Sequence, residues 1–285
     1  MFPLAQLAQV VLETHPRLSF TVLEVGALPV EGQTEPSHQL LDAFPGSSII
    51  AFELDRQLCA ELNRKANRGI RFYPAALGRA EETRPLYQTA HPMCTSLYRP
   101  NEALLGRYFN LDVAMLKSVG STQTVSLDRF AADNAVTGVD FIKIDVQGAE
   151  LDVFTGGVAT LRDVVCIVSE VEFVPLYLDQ PLFGDVSRFL SGHGLMFHKF
   201  LGMAGRALKP TLMNDDPNFA VQHMWSDAVF IRDVLKLDEL APEKLLKLAV
   251  LAHLYRSPDL MFHCMELFDR RCGTRVIEKL VALQA

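Results

Sequence analysis

Short apolar runs alternate with amphipathic segments along the first 235 residues of the chain. Strands of a buried parallel sheet are near-continuous runs of apolar, β-branched and aromatic residues. Runs of this kind predict strands at residues 20–25, 48–52, 70–75, 124–127, 139–146, 164–169, 194–201 and 224–232. Segments with apolar positions three or four residues apart separate several of them and predict helices. The alternation favours an α/β fold with a doubly wound, mainly parallel sheet covered on both faces.

Two helical segments flank this pattern. Apolar residues from Leu4 to Leu12 fall on one stripe, which predicts an N-terminal amphipathic helix within residues 1–18. Strand signals stop after residue 235, and residues 236–285 predict helices alone. We therefore expect a domain of residues 1–235 and a C-terminal helical appendage of residues 236–285. The appendage is expected to cover the sheet edge or to pair with a second subunit in a homo-oligomer.

Composition and charge exclude several classes of protein. The chain has 285 residues, of which 49% are hydrophobic and 21% charged, as in a folded globular protein. A net charge of -7 without a basic stripe argues against a nucleic-acid partner. No apolar run approaches the ~20 residues of a membrane span, and the N-terminus lacks the basic region of a signal peptide. The five cysteines form no C-x-x-C pair, which favours a reducing, cytoplasmic location.

Acidic residues stand at the ends of the first two predicted strands. Glu24 precedes Gly26 in the first, and Glu53 ends the second. Open α/β sheets bind ligands at the carboxyl ends of their strands, where an acidic residue at the second strand can accept hydrogen bonds from a ribose. Glu53 could instead be a residue favoured by the dipole at a helix start, and Gly26 could mark an ordinary strand-to-loop junction.

The next part of the chain is less regular. The small tip Ala76-Leu77 after the third strand could wall an adenine ring or be a plain strand end. Residues 81–123 have a loose pattern, in which 91–108 mix proline, serine, threonine and aromatic residues. That composition is typical of a lid or a substrate-contacting insertion, although some long loops have no function of this kind.

The stretch at residues 139–157 carries the clearest chemical signal. Lys143 and Asp145 lie inside an otherwise apolar strand, and Glu150 follows after a turn at Gly148. A buried charge is costly unless it is paired, so both charged residues are expected to have partners. Because the first and fourth strands of a doubly wound sheet are neighbours, Lys143 could pair with Glu24.

This stretch, FIKIDVQGAELDVFTGG, resembles the signature of FkbM-type S-adenosylmethionine-dependent methyltransferases. The matching residues are Lys-Ile-Asp at 143–145, Gly-Ala-Glu at 148–150, and a glycine at 156 or 157. Segments 49–55, 75–78 and 124–130 resemble other parts of the family, and the likeness extends from about residue 23 to 173, with the strand at 225–232 as a plausible last piece. The family's first loop, Asp-x-Gly-Ala-Asn-x-Gly, is replaced at residues 24–32 by a longer loop with a proline.

The resemblance implies a Rossmann-like methyltransferase sheet, S-adenosylmethionine as cofactor, and O-methylation of a hydroxyl on a sugar, polyketide or other secondary metabolite. Carboxylates suit the ribose hydroxyls and the positive end of this cofactor. The expected cofactor-binding residues are Glu24, Gly26, Ala27, Glu53, Leu54, Ala76, Leu77 and Asp145. The expected catalytic residues are Asp145, Glu150 and Lys143, with Glu170 and Glu172 in reserve as bases. Each of these could instead serve in capping or pairing.

Two other functions remain compatible with the sequence. A nicotinamide-dependent oxidoreductase could use the same β-α-β half, and a non-catalytic relative could keep the fold for assembly. No metal is expected, because the eight histidines show no ligand spacing. A divalent ion on Asp145, Glu172 and neighbouring residues stays open as an alternative, since carboxylates offer oxygen ligands.

Overall fold

A computed structural model of the chain describes residues 2–27 and 34–283. Its main sheet has seven strands in the order β3-β2-β1-β7-β8-β10-β9. These strands are β1 Thr21–Val25, β2 Ser48–Glu53, β3 Ile70–Pro74, β7 Phe141–Ile144, β8 Cys166–Glu172, β9 Leu195–Phe200 and β10 Trp225–Arg232. Neighbours from β3 to β8 pair in parallel, and β10 runs antiparallel to both β8 and β9. The predicted doubly wound, mainly parallel α/β sheet is confirmed.

A second sheet lies where the sequence predicts a loose region. Its strands are β4 Ala76–Gly78, β5 Glu82–Thr89 and β6 Leu116–Ser126, in the order β4-β6-β5. The sequence therefore missed the strands β5 and β6 within residues 81–123, and the short strand expected at 124–127 is the end of the eleven-residue β6. The interpretation of residues 91–108 as a lid or substrate-contacting insertion stays a prediction. Most residues of β5 and β6 remain exposed or half-buried, so these strands lack the apolar runs that mark the main sheet.

Helices cover both faces of the main sheet, because successive side chains of a strand point to opposite faces. Val22 and Phe141 face one apolar cluster, whereas their neighbours Leu23 and Ile142 face the other. The helices are α1 Leu4–Thr14, α2 Gln39–Ala43, α3 Arg56–Lys65, α4 Glu102–Leu105, α5 Leu127–Asp133, α6 Glu150–Thr155, α7 Phe183–Gly192, α8 Pro242–Leu254, α9 Pro258–Cys272 and α10 Val276–Ala282. Residues from α5, α6 and α7 fill the second cluster, and α1 and α8 to α10 fill the first. Among the described helices, none is long and apolar enough to cross a membrane.

The C-terminal helices pack on a face of the sheet and not on its edge. Leu245, Leu248 and Leu251 of α8 are fully buried in the same cluster as Val22 and Phe141. Full burial of one such leucine stabilises the fold by about 1.5–3 kcal/mol. The helical content is as predicted, while the domain boundary at residue 235 and the pairing with a second subunit stay predictions.

A buried ionic contact joins these helices to the sheet. The carboxylate of Asp140, at 1% exposure, accepts hydrogen bonds from Lys244 Nζ at 2.8 Å and Lys247 Nζ at 3.0 Å. It also accepts one from the backbone N–H of Thr21 at 3.0 Å. Asp140 precedes β7, so the contact fixes α8 beside the strands that carry the chemically interesting residues.

Candidate functional site

The turn between β7 and α6 aims several polar groups at one edge of the sheet. Asp145 follows β7 directly, and Gln147 and Gly148 then take left-handed backbone angles, with φ of 57° and 91°. A side chain at 148 would press on Gln180, because a Cβ there would lie 2.9 Å from its Nε2. Glu150 begins α6, and its Oε1 accepts a hydrogen bond from the N–H of Val146 at 2.8 Å. The Glu150 carboxylate thus holds the turn closed.

Gly26 brings the ends of β1 and β7 together. Its φ is +82°, and a Cβ at this position would overlap the carbonyl oxygen of Asp145. The backbone N–H of Asp145 also donates a hydrogen bond at 2.9 Å to the carbonyl of Val25, the residue before Gly26. Position 26 therefore needs both a left-handed backbone and the absence of a Cβ. Only glycine meets both conditions, so the tight approach of the two strand ends depends on this residue.

A glutamine that the sequence did not single out connects two carboxylates. Gln147 Nε2 donates to Asp145 Oδ1 and to Glu170 Oε2, each at 2.7 Å. Its Oε1 accepts from the hydroxyl of Tyr177 at 2.9 Å, and its backbone carbonyl accepts from Ser96 Oγ at 2.6 Å. The amide therefore fixes the orientation of both acids. The sequence signal for it is weak, because its partners other than Asp145 lie 23 to 51 residues away.

The carboxylates behind this edge hold their protons unusually strongly. Burial raises the pKa of Glu150 to about 7, and the nearby charge of Asp145 adds to the rise. Burial also raises the pKa of Glu170 well above its ordinary value, with further contributions from Asp145 and Glu172. Burial likewise raises the pKa of Glu172 well above its ordinary value, and the charge of Glu150 is the next largest cause. Paired acids of this kind are common where proton transfer occurs.

Lys143 pairs with Asp227 and not with Glu24. Its Nζ donates to Asp227 Oδ1 at 2.9 Å, whereas Glu24 Oε2 lies 2.8 Å from Nε2 of His38. Glu24 and Lys143 are register partners on adjacent strands, so the predicted neighbourhood is right and the predicted ion pair is wrong. Burial alone would lower the pKa of Lys143, but the charges of Asp145 and Asp227 outweigh it and raise the pKa.

Two cavities open at this edge of the sheet. The larger has a volume of about 690 Å³, and its lining includes Glu24, Gly26, Phe72, Lys143, Asp145 and Arg256. The smaller has about 270 Å³, and its lining includes Asp145, Glu170, Leu201, Met203, Trp225 and Asp227. Asp145, Leu201 and Asp227 line both, so they form the partition between the two cavities.

The predicted site residues divide into two groups. Glu24, Gly26, Ala27, Lys143 and Asp145 line the larger cavity, and Glu170 lines the smaller. The others lie outside the lining of both described cavities; they are Glu53, Leu54, Ala76, Leu77, Glu150 and Glu172. Their cofactor-binding or catalytic roles stay predictions.

Four residues of the second group have other places in the structure. Glu53 Oε1 accepts from the N–H of Asp55 at 3.0 Å, and Leu54 is 41% exposed. Ala76 and Leu77 are buried in β4 of the second sheet. Residues 28–33, which include most of the altered first loop, lie outside the described part of the chain.

Three carboxylates of this edge could also surround a cation. One oxygen each of Asp145, Glu150 and Glu170 lies within 4.8 Å of the others. Oxygen donors suit hard divalent ions. Gln147 also donates a hydrogen bond to two of the three acids, and Val146 donates one to the third, so one oxygen of each carboxylate already has a protein partner. The expectation that no metal binds stays a prediction.

The second half of the sequence signature has a packing role. Asp152 on α6 is 1% exposed and accepts hydrogen bonds from Arg79 at 2.9 Å, Arg84 at 3.2 Å and the Tyr98 hydroxyl at 3.1 Å. A Cβ on Gly156 would overlap the carbonyl oxygen of Gly78. These contacts attach α6 to the second sheet. They explain why the signature contains Asp152 and Gly156, although neither residue lines a cavity.

Comparison with known proteins identifies the family. The model of the methyltransferase FkbM domain matches residues 25–196, which is more than half of the chain. The chain belongs to the FkbM methyltransferase domain family. The predicted resemblance is thereby confirmed, and methyl transfer is the chemistry of the family. Asp145 and Gly148 to Glu150 of the signature lie within the matched range, whereas Asp227 and the C-terminal helices lie outside it.

Other comparisons of this FkbM-domain protein are less informative. No curated protein matches it. A candidate methyltransferase from Thermoplasma acidophilum superposes with a TM-score of 0.32 at 10% identity, covering 76% of this chain and 70% of that one. A SAM-dependent methyltransferase from Aquifex aeolicus gives a TM-score of 0.31 at 10% identity, covering 81% of this chain and 100% of that one. Scores this low carry no information beyond the family match.

Proposed function

We propose that this FkbM-domain protein is an S-adenosylmethionine-dependent O-methyltransferase. Its acceptor is a hydroxyl on a sugar, polyketide or other secondary metabolite. The observation that carries the proposal is the pair of cavities that share Asp145 at the carboxyl ends of the strands. Cofactor would occupy the larger cavity and acceptor the smaller, so the reacting groups would meet at the shared residue.

The larger cavity fits the proposed cofactor. Its volume of about 690 Å³ lies within the ~300–1,000 Å³ of small-molecule sites. Glu24, Glu35 and Asp145 offer carboxylates to a molecule with an ammonium and a sulfonium group, and Phe72 offers an aromatic wall to its base. Gly26 presents bare backbone at the end of β1. When bound, the cofactor supplies an electrophilic methyl group.

The residues around Asp145 suit removal of a hydroxyl proton. Asp145 stands at the boundary of the two cavities, and Gln147 holds its Oδ1 in place. Glu170 lines the acceptor side, and its raised pKa keeps it protonated over a wider pH range than an ordinary glutamate. In this arrangement Asp145 accepts the proton while Glu170 donates a hydrogen bond to an acceptor oxygen. A base of this kind contributes roughly 10²–10⁴-fold in rate.

Positioning supplies the other part of the rate. Methyl transfer to an alcohol is an in-line displacement, and holding two reactants in line can contribute up to ~7–11 kcal/mol. The two cavities adjoin each other at the three residues that line both, Asp145, Leu201 and Asp227. That geometry brings an acceptor oxygen toward the cofactor from one side.

Calorimetry with S-adenosylhomocysteine and with NAD tests the proposal. We expect the purified chain to bind S-adenosylhomocysteine with micromolar affinity and to show no heat with NAD. Binding of NAD alone would replace the proposal by the oxidoreductase alternative. Binding of neither ligand would overturn it in favour of a non-catalytic relative that kept the fold for assembly.

A further inference from the structure

Arg256 lines the larger cavity from a part of the chain that the family model does not match. It lies in the corner between α8 and α9, beyond the matched residues 25–196. Leu254 and Tyr255 of the same corner also line the cavity. The C-terminal helices therefore form one wall of the space over the strand ends.

The corner is a built feature of the fold. Arg256 has a left-handed φ of 57°, which is uncommon for a residue other than glycine. Lys199 Nζ of β9 donates to the backbone carbonyls of Tyr255 at 2.5 Å and Arg256 at 2.9 Å. The hydroxyl of Ser257 lies 2.9 Å from Nε2 of His198. Two neighbouring residues of one strand thus anchor the backbone that presents Arg256 to the cavity.

The guanidinium of Arg256 is available to a ligand. It is exposed, and within residues 2–27 and 34–283 its side chain has neither a salt bridge nor a hydrogen bond. The other cationic groups of the lining are engaged, since Lys143 pairs with Asp227 and His38 with Glu24. An arginine on a fixed backbone beside a ligand-sized cavity is suited to bind a planar anion, because its N–H groups match a carboxylate in pairs.

The order of the strands indicates which ligand group would reach this arginine. Phe72 lies on β3, Glu24 on β1 and Lys143 on β7, so the cavity crosses the strand ends in that order. Adjacent strands are about 4.8 Å apart, which places β3 and β7 about 14 Å apart. A base at Phe72 therefore leaves the amino-acid end of an extended cofactor near the ends of β1 and β7. The α8–α9 corner lies at β7, because the ring of Tyr255 is 5.4 Å from the ring of Phe141, and it lines the cavity there.

We infer that Arg256 binds the carboxylate of the methionine portion of S-adenosylmethionine, so that the C-terminal helices complete the cofactor site. This inference rests on the proposed function. It gives residues 236–285 a role in ligand binding in addition to covering the sheet. Arg256 is a binding residue in this account and takes no part in proton transfer.

Binding measurements with two ligands test the inference on the full chain. S-Adenosylhomocysteine carries the carboxylate, and 5′-methylthioadenosine lacks the whole amino-acid portion. We expect Arg256→Gln to weaken S-adenosylhomocysteine at least about 10-fold, because a hydrogen bond to a charged group is lost. The affinity for 5′-methylthioadenosine should change less than about 2-fold. Arg256→Lys should recover part of the loss, because it keeps the charge but not the paired geometry.

Arg270→Gln is the matched control, because Arg270 is an exposed arginine on α9 that pairs with Asp238 on the surface. It should leave both affinities unchanged. Unchanged binding of S-adenosylhomocysteine to Arg256→Gln would overturn the inference and leave the proposed function standing. Equal weakening of both ligands would also overturn it, since the residue would then act on the shape of the cavity. Absence of S-adenosylhomocysteine binding to the unmodified chain would overturn the proposed function itself, and this inference with it.

Discussion

Lys143 and Asp227 form an ion pair across the β8 strand, with Nζ 2.9 Å from Oδ1. The two residues are 84 positions apart in the chain. The lysine side chain is 10% exposed and the aspartate side chain 41%, so the pair lies at the wall of the cavities with its positive end buried. Asp227 thereby neutralises a buried cation of the signature from a strand that the family match does not include.

A double-mutant cycle should locate this coupling. We expect Lys143→Met and Asp227→Asn to show a coupling energy of roughly 1–2 kcal/mol in urea unfolding, with solvent around Asp227 keeping it below that of a fully buried pair. The matched cycle of Lys143→Met with Glu24→Gln should give less than about 0.5 kcal/mol. A larger coupling to Glu24 would mean that the lysine changes partner in solution.

Asp140 should be among the most sensitive positions for stability. Asp140→Asn removes the buried counter-charge of Lys244 and leaves Lys247 with the half-exposed Glu243 alone. Breaking a buried pair in this way costs on the order of 3–5 kcal/mol. Urea unfolding measures the loss. Asp238→Asn provides the control, because its pair with Arg270 is exposed on both sides and should be worth about 0–1 kcal/mol. Similar losses in the two variants would show that the contact between α8 and the sheet is not held by Asp140.

The part of the site that follows from strand order could be predicted from the sequence. Glu24, Gly26 and Asp145 stand at the ends of recognisable apolar strands, and parallel strands place these ends at one edge. The partner of Lys143 could not be predicted in this way. The lysine side chain is long enough to reach across β8 to Asp227, and several acidic residues lie within its range. Gln147 was missed for a related reason, since its value lies in contacts with residues distant in the chain.

The second sheet was missed because its strands carry little of the signal on which strand prediction depends. β5 and β6 pair with each other over eight register positions, yet most of their side chains remain in contact with solvent. Backbone hydrogen bonds form such a pair without an apolar run in the sequence. The packing of Gly156 against Gly78 could not be predicted for the same reason, because Gly78 belongs to the second sheet.

Stability should fall as the pH rises, in part because of Glu150. Its pKa is about 7 in the folded chain against an ordinary 4.5, so the folded state binds more protons between these values. The free energy of unfolding therefore decreases through this window, by roughly 1.4 kcal/mol per pH unit at most and on the order of 3 kcal/mol in total. Below pH 4.5 this penalty is absent, and above pH 7 it is complete.

Glu150→Gln should remove this contribution, because a glutamine cannot ionise and its Oε1 can still accept from Val146. Urea unfolding at pH 5, 6, 7 and 8 should show a shallower fall than in the unmodified chain. Part of the fall should persist, since burial also raises the pKa of Glu170 and of Glu172. Glu266→Gln is the control, because Glu266 is exposed on α9 and its loss should leave the pH dependence of stability unchanged. If stability fell with pH as steeply in Glu150→Gln as in Glu266→Gln, Glu150 would not be a source of the pH dependence.

Gly26→Ala should separate the ends of β1 and β7. The substitution adds left-handed backbone strain of about 1–2 kcal/mol and an overlap with the Asp145 carbonyl that adds roughly 1–3 kcal/mol. Gly138→Ala is the matched control, because Gly138 has a φ of +64° but a Cβ there meets nothing within 4 Å. We expect urea unfolding to show a clearly larger loss for Gly26→Ala, and S-adenosylhomocysteine binding to weaken in that variant alone. Equal losses and equal binding would show that the close approach of Gly26 to Asp145 is dispensable, because strain alone would then account for both variants.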